Sequence, residues 1–592
     1  QEGRLFKPLA FTKTFAMAGG ALLSVTLVPV LMLLFVRGKI VPERKNPVNR
    51  FLIAAYRPVI NVVLRHRMAT IAIALVALFA SVWPASRLGS EFMPTLNEGT
   101  LLYMPASLPG MSVTKASELL QQQDRIIKGF PEVESVFGKA GRALTATDPA
   151  PLEMFETVIN LKPEDQWRDG MTTDKLIAEM DAALKFPGVA NSWTMPIKAR
   201  TDMLATGIRT PVGIKLFGND LAQLDALATE IEAVVREVPE TTSAFAERLT
   251  GAYYLDITPD LGRLAQYGVT LGEVQDVVAA ALGGEMVTTI LQGRERFSAI
   301  VRYPRELRDD PHRIGTQVLV PVPGGAQVPL GELARIEVTM GAPSIRTENA
   351  MLAAYIYVDT RESDLGRYVK AAQEAVAEQV QFPPGYYVTW SGQYEYMQRA
   401  AEKMRVVVPV TLALIFLLLY LNFRRVTESL IVMLSVPFAL VGGVWLMWLL
   451  DYNTSVAVIV GFIALAGVAA ETGVVMLIYL DHALEARAVQ RQAEDRSLDA
   501  GDLREAIIEG AVDRVRPKMM TVVAIMAGLL PIMWSSGTGS EVMRRIAAPM
   551  VGGMVSSTVL TLVVIPALYS LIKQRQLARK PPTPAALPVD VP

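Results

Sequence analysis

Seven long apolar runs divide this sequence more sharply than any other feature. They lie at 12–36, 69–88, 406–423, 428–450, 455–480, 519–536 and 546–572. A helix rises about 1.5 Å per residue, so about 20 apolar residues cross the roughly 30 Å hydrocarbon core of a bilayer. Unpaired backbone polar groups are costly in lipid, so a spanning run of this kind is helical. The sequence therefore predicts a polytopic α-helical membrane protein.

Basic residues predict the side of the membrane that each connection occupies. The segment 37–68 contains eight basic residues and one acidic residue, Glu43. Short connections rich in Lys and Arg stay in the cytoplasm. Alternation then places residues 89–404, hereafter the soluble region, on the opposite side and the C-terminal tail inside, with Arg544 and Arg545 as a discordant pair. The N-terminus falls outside, and without a signal peptide this predicts that further spans precede the sequence.

Composition excludes several classes of function. The chain has 592 residues and is 51% hydrophobic with a mean hydropathy of +0.31, yet 19% of its residues are charged, so a large part must be water-soluble. The net charge of −1 gives no electrostatic footprint for nucleic acid. Cysteine is absent, which excludes disulfides and thiolate metal sites. No G-x-x-x-x-G-K-[ST] motif occurs, so nothing in the sequence indicates ATP use.

The soluble region alternates strand-like and helix-like segments. Strands are predicted at 100–107, 133–138, 155–161, 191–196, 211–217, 243–257, 353–358 and 386–391, and helices at 114–130, 173–186, 221–238 and 365–380. Recurrent strand–helix–strand units of this length predict split βαβ, ferredoxin-like modules. One continuous α/β sheet is the alternative.

These patterns together predict six segments along the chain. They are a transmembrane helix at 1–36, a basic cytoplasmic linker at 37–68, a second transmembrane helix at 69–88, the soluble region at 89–404, a five-helix transmembrane bundle at 405–573 and a disordered, Pro-rich cytoplasmic tail at 574–592.

Glu471 is the one charged residue within the apolar run 455–480. A carboxylate at the centre of a span costs roughly 2.5–3.5 kcal/mol on insertion scales, and its usual roles are proton relay or ion pathway. Lys518, at the start of the sixth run, is its candidate partner, and protonation of the carboxylate would then free the lysine. The alternatives are a structural buried Glu471 and a Lys518 that snorkels to the interface.

Several strings together carry a family resemblance. They are GRLFKPLAFTKTFAMAG (3–19), EFMPTLNEGTLLYMP (91–105), SVPFALVGG (435–443), GFIALAGVAAETGVVMLIYLDHA (461–483), RVRPKMMT (514–521) and GSEVMRRIAAPMVGGM (539–554). The chain resembles the C-terminal half of a heavy-metal efflux pump of the resistance-nodulation-division superfamily, and it is most similar to the copper and silver branch.

This resemblance implies a multi-pass proton antiporter of the bacterial inner membrane, a transporter and not an enzyme. The soluble region would be its periplasmic porter and docking domain. The pump would be a homotrimer that docks with a periplasmic adaptor and an outer-membrane channel. Glu471 and Lys518 match the family's proton-relay positions. The third relay residue, an Asp, belongs to the N-terminal half that this sequence lacks.

The resemblance also implies a metal route built from methionines. Met104, Met154 and Met203 match the family's three-methionine site in the periplasm. Thioether sulfur is soft and has no proton to lose, which suits Cu(I) or Ag(I) over harder divalent ions. Without the resemblance, each methionine is interpreted as a core residue.

Further residues match auxiliary positions of the family. Glu98 and Asp148 correspond to acidic positions near the metal site that attract the cation, the alternative being solvated cleft charges. Four methionines correspond to relay positions along the transport path, the alternative being packing: Met17, Met32, Met286 and Met543.

The sequence therefore predicts the C-terminal half of a proton-driven pump that exports Cu(I) or Ag(I) from the periplasm or the cytoplasm, with no permanently bound cofactor. Its partners are the metal ion, the membrane and the missing N-terminal half. One alternative is a pump of the same family for divalent Zn, Co, Cd or Ni. The other is a non-transporting membrane assembly or sensory subunit.

Overall fold

The computed structural model describes residues 2–36, 46–94, 96–107, 109–141, 151–361, 364–494, 496–535 and 537–579. Within these ranges, seven helices are long and apolar enough to cross a membrane, two before the soluble region and five after it. The predicted polytopic helical membrane protein with a large α/β region is thereby confirmed.

Four helices precede the soluble region. They are α1 (Glu2–Phe35), α2 (Pro47–Arg65), α3 (Arg67–Ala80) and α4 (Val82–Ala85). The predicted basic linker thus contains an amphipathic helix, α2, which starts where the Asn46 side chain accepts a hydrogen bond from the Val48 amide. The hydroxyl of Tyr56 on α2 donates to the Leu562 carbonyl at 2.6 Å, which fastens this helix to the membrane bundle.

The first part of the soluble region is one α/β module. Its elements are β1 (Thr100–Tyr103), β2 (Ala106–Ser107), α5 (Val113–Lys128), β3 (Val133–Ala140), β4 (Phe155–Leu161), α6 (Thr173–Ala183), β5 (Val189–Ala190), β6 (Trp193–Thr194) and α7 (Pro196–Thr206). The antiparallel sheet has the order β3-β4-β1-β6. With α5 and α6 as the two crossovers, this is the ferredoxin-like βαββαβ arrangement. Burial alternates along β4, whose inward side chains Phe155 and Ile159 are fully buried.

A second module of the same order follows. It opens with β7 (Val212–Gly218), α8 (Leu221–Arg236) and β8 (Thr241–Ala246), and it closes after an insertion with β15 (Thr347–Glu348), β16 (Met351–Thr360), α13 (Leu365–Gln379) and β17 (Tyr387–Gly392). In its sheet β8 pairs with β16, β16 with β7, and β7 with β17, all antiparallel. The two modules have separate sheets, so the ferredoxin-like prediction is confirmed and the alternative of one continuous sheet is wrong.

The insertion within the second module is a small α/β unit with its own core. It consists of β9 (Ala252–Pro259), α9 (Leu261–Tyr267), α10 (Leu271–Val278), β10 (Glu285–Gln292), β11 (Glu295–Val301), α11 (Pro311–Gln317), β12 (Leu319–Pro321), β13 (Gln327–Pro329), α12 (Leu330–Leu333) and β14 (Ala334–Gly341). The prediction of one continuous strand at 243–257 is wrong. Gly251, at φ +96°, turns the chain between β8 and β9, which belong to different sheets.

Five long helices complete the chain. They are α14 (Gln393–Phe423), α15 (Val426–Leu449), α16 (Val456–Ala493), α17 (Ala500–Met533) and α18 (Ser540–Arg579). Helices α15 and α18 cross at glycines: a Cβ on Gly442 would lie 2.1 Å from the Gly552 carbonyl oxygen. The last helix continues to Arg579, past the predicted start of the tail at 574, because polar residues extend a helix as readily as apolar ones once it has left the membrane. Residues 580–592 lie outside the described ranges.

A short segment joins the soluble region to the membrane helices. Its residues 89–92, hereafter the junction, run beside the connection between α15 and α16, where the Glu91 amide donates to the Thr454 carbonyl at 3.0 Å. On the other side, the Asp364 carboxylate at the start of α13 accepts from the Ser90 amide and hydroxyl at 3.0 and 2.8 Å. Arg545 of α18 completes the junction by pairing with the Glu91 carboxylate at 3.3 Å.

Candidate metal and proton sites

Backbone pairing places the three predicted metal methionines close together. Met104 lies between β1 and β2, Met154 directly precedes β4, and Met203 is on α7. An isolated antiparallel bridge pairs Ala106 with Met154, and the Phe155 amide donates to the Pro105 carbonyl at 3.1 Å. The Met104 and Met154 segments therefore run side by side.

The three methionine side chains pack in one apolar cluster with Leu102, Val158 and Ala199, hereafter the methionine cluster. Met104 is 1% exposed and Met154 is 9% exposed, whereas Met203 is only partly buried. Thioethers are neutral and weakly hydrated, so they can be buried without a charged counterpart. The arrangement supplies a soft, uncharged set of donors with partial access from the Met203 side.

The helix that carries Met203 was missed from the sequence, where 191–196 was predicted as a strand. That strand is reduced to β6 because Pro196 occupies the first turn of α7, where its missing N–H costs nothing. Gly207 ends the helix in the left-handed region at φ 77°. The Pro and Gly at these two ends are the sequence signal from which the helix could have been predicted.

Glu98 has both carboxylate oxygens engaged by α7. One oxygen accepts a hydrogen bond from the Ile197 amide at 2.8 Å and the other from the Lys198 amide at 2.9 Å. The side chain thus contacts the helix N-terminus that lies six residues before Met203.

The other auxiliary residues lie apart from the methionine cluster. Met17 and Met32 are exposed on α1, Met286 is exposed on β10, and Met543 is 39% exposed in the first turn of α18. Asp148 lies outside the described residues. The structure therefore brings Met104, Met154 and Met203 together, with Glu98 nearby, and leaves these four methionines elsewhere.

One ionisable group behind the site was not predicted. The side chain of Asp359 on β16 hydrogen-bonds Ser192, whose carbonyl accepts from the Met104 amide at 2.9 Å. Desolvation raises the pKa of Asp359 to about 6, against the opposing effects of the Ser192 and Ser243 hydrogen bonds and of Arg209. A buried carboxyl group with a raised pKa is thus linked through Ser192 to the Met104 backbone.

The two predicted proton-relay residues lie on neighbouring helices. Glu471 is on an exposed face of α16, and Lys518 is on α17 with 1% of its surface exposed. The ammonium group of Lys518 has no hydrogen-bond partner among the described residues, although the charge of Glu471 acts on it. The two helices approach closely about two turns away from the pair, since a Cβ on Gly510 would lie 2.7 Å from the Tyr479 carbonyl oxygen.

Arg514 is a further member of this group that the sequence analysis did not select. It lies four residues before Lys518 and hence on the same face of α17. Its guanidinium lies 5.6 Å from the centre of the Tyr479 ring, and the charge of Glu471 acts on it as well. The charge of Glu471 therefore acts on both Arg514 and Lys518.

Comparison with known proteins shows which family has this architecture. The sequence matches the AcrB/AcrD/AcrF family over residues 1–573. The chain belongs to this family. It is 51% identical over 572 residues to the cation efflux system protein CusA of Escherichia coli (strain K12), with 97% of this chain and 54% of the relative covered.

Other relatives and solved structures agree. The chain is 50% identical to the putative cation efflux system protein SilA of Salmonella typhimurium, over 97% of this chain and 55% of the relative. It is 36% identical to the cobalt-zinc-cadmium resistance protein CzcA of Cupriavidus metallidurans, over 97% of this chain and 53% of the relative. Two crystal forms of a heavy metal efflux pump superpose with TM-scores of 0.82 and 0.83 at 28% identity, covering 96% and 97% of this chain and 56% of the pump.

These matches confirm the resemblance to heavy-metal efflux pumps of the resistance-nodulation-division superfamily and to their copper and silver branch. The chain spans about half the length of the curated relatives it matches.

Proposed function

We propose that this chain is the C-terminal half of a proton-driven exporter of Cu(I) or Ag(I). The observation that carries the proposal is the methionine cluster, in which Met104, Met154 and Met203 pack together although they are far apart in sequence. Three neutral thioethers bind a soft monovalent ion without the tight hold of thiolates. The metal ion is cargo, and partial exposure of Met203 gives it a way in and out.

The donor set distinguishes this proposal from a divalent-metal pump. Zinc prefers His nitrogen, Cys sulfur and carboxylate oxygen. Among the described residues, no group of three or more His, Asp or Glu side chains is arranged to hold a metal ion. Identity to the cobalt-zinc-cadmium relative is also lower, at 36% against 51% for CusA. Both observations favour the monovalent cargo.

The energy source in this proposal is the proton gradient. Glu471 takes up and releases the proton, while Lys518 and Arg514 respond to its charge. An unpaired ammonium in low dielectric is costly, so its position is sensitive to whether a nearby carboxylate is ionised. A further relay carboxylate would come from an N-terminal half, in agreement with relatives about twice as long as this chain.

The location and assembly of the pump are part of the proposal. Basic connections on one side and the soluble region on the other support an inner-membrane protein whose soluble region is periplasmic. A homotrimer that binds a periplasmic adaptor and an outer-membrane channel is proposed on the ground of the family alone.

Replacing Met154 and Met203 together by Leu tests the metal assignment. Leucine keeps the side-chain volume and apolar character, so the cluster stays packed while two sulfur donors are lost. We expect Ag(I) affinity of the purified intact pump, measured by calorimetry, to fall at least 100-fold with little change in thermal stability.

Met180→Leu is the matched control, because Met180 is fully buried in the adjacent core of the same module. Its Ag(I) affinity should equal that of the unmodified pump. An unchanged affinity in the double variant would remove the methionine cluster as the metal site and with it the proposed cargo.

A further inference from the structure

Helix α7 begins without a cap from its own sequence. Its N-cap residue is Met195, whose side chain makes no capping hydrogen bond, and Pro196 has no amide hydrogen. The first free donors are the amides of Ile197 and Lys198, and the Glu98 carboxylate accepts from both. Glu98 therefore does from a distance what an N-cap Ser or Asp ordinarily does within a helix.

A turn at residues 97–99 places the Glu98 side chain at the start of α7. The Gly99 amide donates to the Asn97 side-chain oxygen at 3.0 Å, and Gly99 adopts φ +69°, in the left-handed region that glycine tolerates. Strand β1 starts at the next residue and leads directly to Met104. Glu98 thus lies on the segment that leads to Met104, and its side chain is hydrogen-bonded to the helix that carries Met203.

The same contacts limit what Glu98 can do for a cation. Its two oxygens point at backbone N–H donors, and its negative charge is balanced by the positive end of the helix dipole. A carboxylate held in this way contributes less to attracting a distant cation than a solvated one.

We propose that Glu98 is a positioning residue, which holds α7 against the β1 segment and so fixes Met203 relative to Met104 in the metal site. This inference rests on the proposed function of the methionine cluster. It assigns Glu98 a different role from the attraction of cations that the family resemblance implies.

The test uses Glu98→Ala and Glu98→Gln in the purified intact pump, with two measurements. Amide hydrogen exchange of peptides covering 196–206, without metal, should become faster in Glu98→Ala because both helix donors lose their acceptor. Ag(I) affinity should fall about tenfold in Glu98→Ala and about threefold in Glu98→Gln, whose amide oxygen keeps one acceptor. The loss should be the same at low ionic strength and at about 0.5 M sodium nitrate, where charge attraction is screened.

Glu153→Gln is the matched control, since it removes a carboxylate next to Met154 and leaves Glu98 to accept from the two α7 amides. It should change neither measurement. Unchanged exchange in Glu98→Ala, a loss of affinity that disappears at high salt, or an equal loss in Glu153→Gln would each overturn the positioning role. Because exchange is measured without metal, it decides on the cap even if the Met154 and Met203 experiment rejects the cargo.

Discussion

At the scale of single residues, Lys518 is a costly side chain to bury in the membrane helices. It is 1% exposed, and its ammonium group has no hydrogen-bond partner among the described residues. Burying such a cation costs several kcal/mol unless a counter-charge is near. The charges of Arg514 and Glu471 both act on it, and the proposed change of charge on Glu471 would give this costly burial a function.

Glu471→Gln should abolish metal export while leaving the protein folded. Glutamine has nearly the same shape but binds no proton, so the charge that acts on Lys518 no longer changes. We expect at least a 100-fold loss of proton-coupled Ag(I) transport in proteoliposomes, with Ag(I) affinity within twofold of the unmodified pump. Glu505→Gln is the control, because the Glu505 side chain is 64% exposed where it pairs with Arg487. Full proton-coupled transport by Glu471→Gln would contradict the proposed proton-relay role of Glu471.

At this scale, the residue pattern alone selected Glu471 but not the three methionines. Glu471 is visible in the sequence because its charge interrupts an apolar run. Met104, Met154 and Met203 carry no such signal, since the bridge between Ala106 and Met154 and an unpredicted helix bring them together. Only the family resemblance selected them.

At the scale of elements, the crossing of α15 and α18 depends on two glycines. The carbonyl oxygen of each lies where the Cβ of the other would be, at 2.1 Å for Gly442 and 2.3 Å for Gly552. Small residues allow membrane helices to approach until their backbones touch.

Gly442→Ala should therefore destabilise the bundle by about 1–3 kcal/mol, since the new methyl group must push the helices apart. The measurement is the thermal unfolding midpoint of the purified chain. Gly528→Ala is the control, because a Cβ there meets no atom within 4 Å. Equal midpoints for the two variants would contradict the close crossing.

Periodicity predicted most elements and failed where one residue redirects the chain. The predicted strand 155–161 coincides with β4, and the helix predicted at 114–130 is α5 at 113–128. The errors occur at Gly251, which separates two strands of different sheets, and at Pro196, which begins a helix. Both are local backbone effects that a pattern of apolar residues does not contain.

At the scale of the whole molecule, the junction is one connection between the soluble region and the membrane helices, beside the direct passage from β17 into α14. The Glu91 and Arg545 side chains are 17% and 18% exposed where they pair, and the Arg545 guanidinium lies 3.8 Å from the centre of the Tyr452 ring. In the proposed transport cycle, these contacts are one route by which a movement of the bundle helices would reach the soluble region.

Arg545→Gln should thus separate binding from transport. We expect Ag(I) affinity to stay within twofold, because no residue of the junction belongs to the methionine cluster, while transport in proteoliposomes falls about tenfold. Arg335→Gln is the control, since Arg335 forms an exposed surface pair with Glu337 in the insertion. A parallel loss of affinity and transport in Arg545→Gln would mean general misfolding and would contradict a specific role in coupling.

The insertion has a consequence for how the second module folds. Its first and last strands, β9 and β14, pair along their whole length, so that Ala252 lies opposite Gly341. Once the insertion has folded, its two ends lie on adjacent strands, and β8 and β16 are joined by what is in effect a short hairpin connection. Folding of the insertion then includes the entropic cost of closing this long loop. Formation of the sheet of the second module no longer includes that cost. A unit joined in this way can be lengthened, exchanged or removed with little effect on its host sheet, which makes this part of the chain open to divergence and to design.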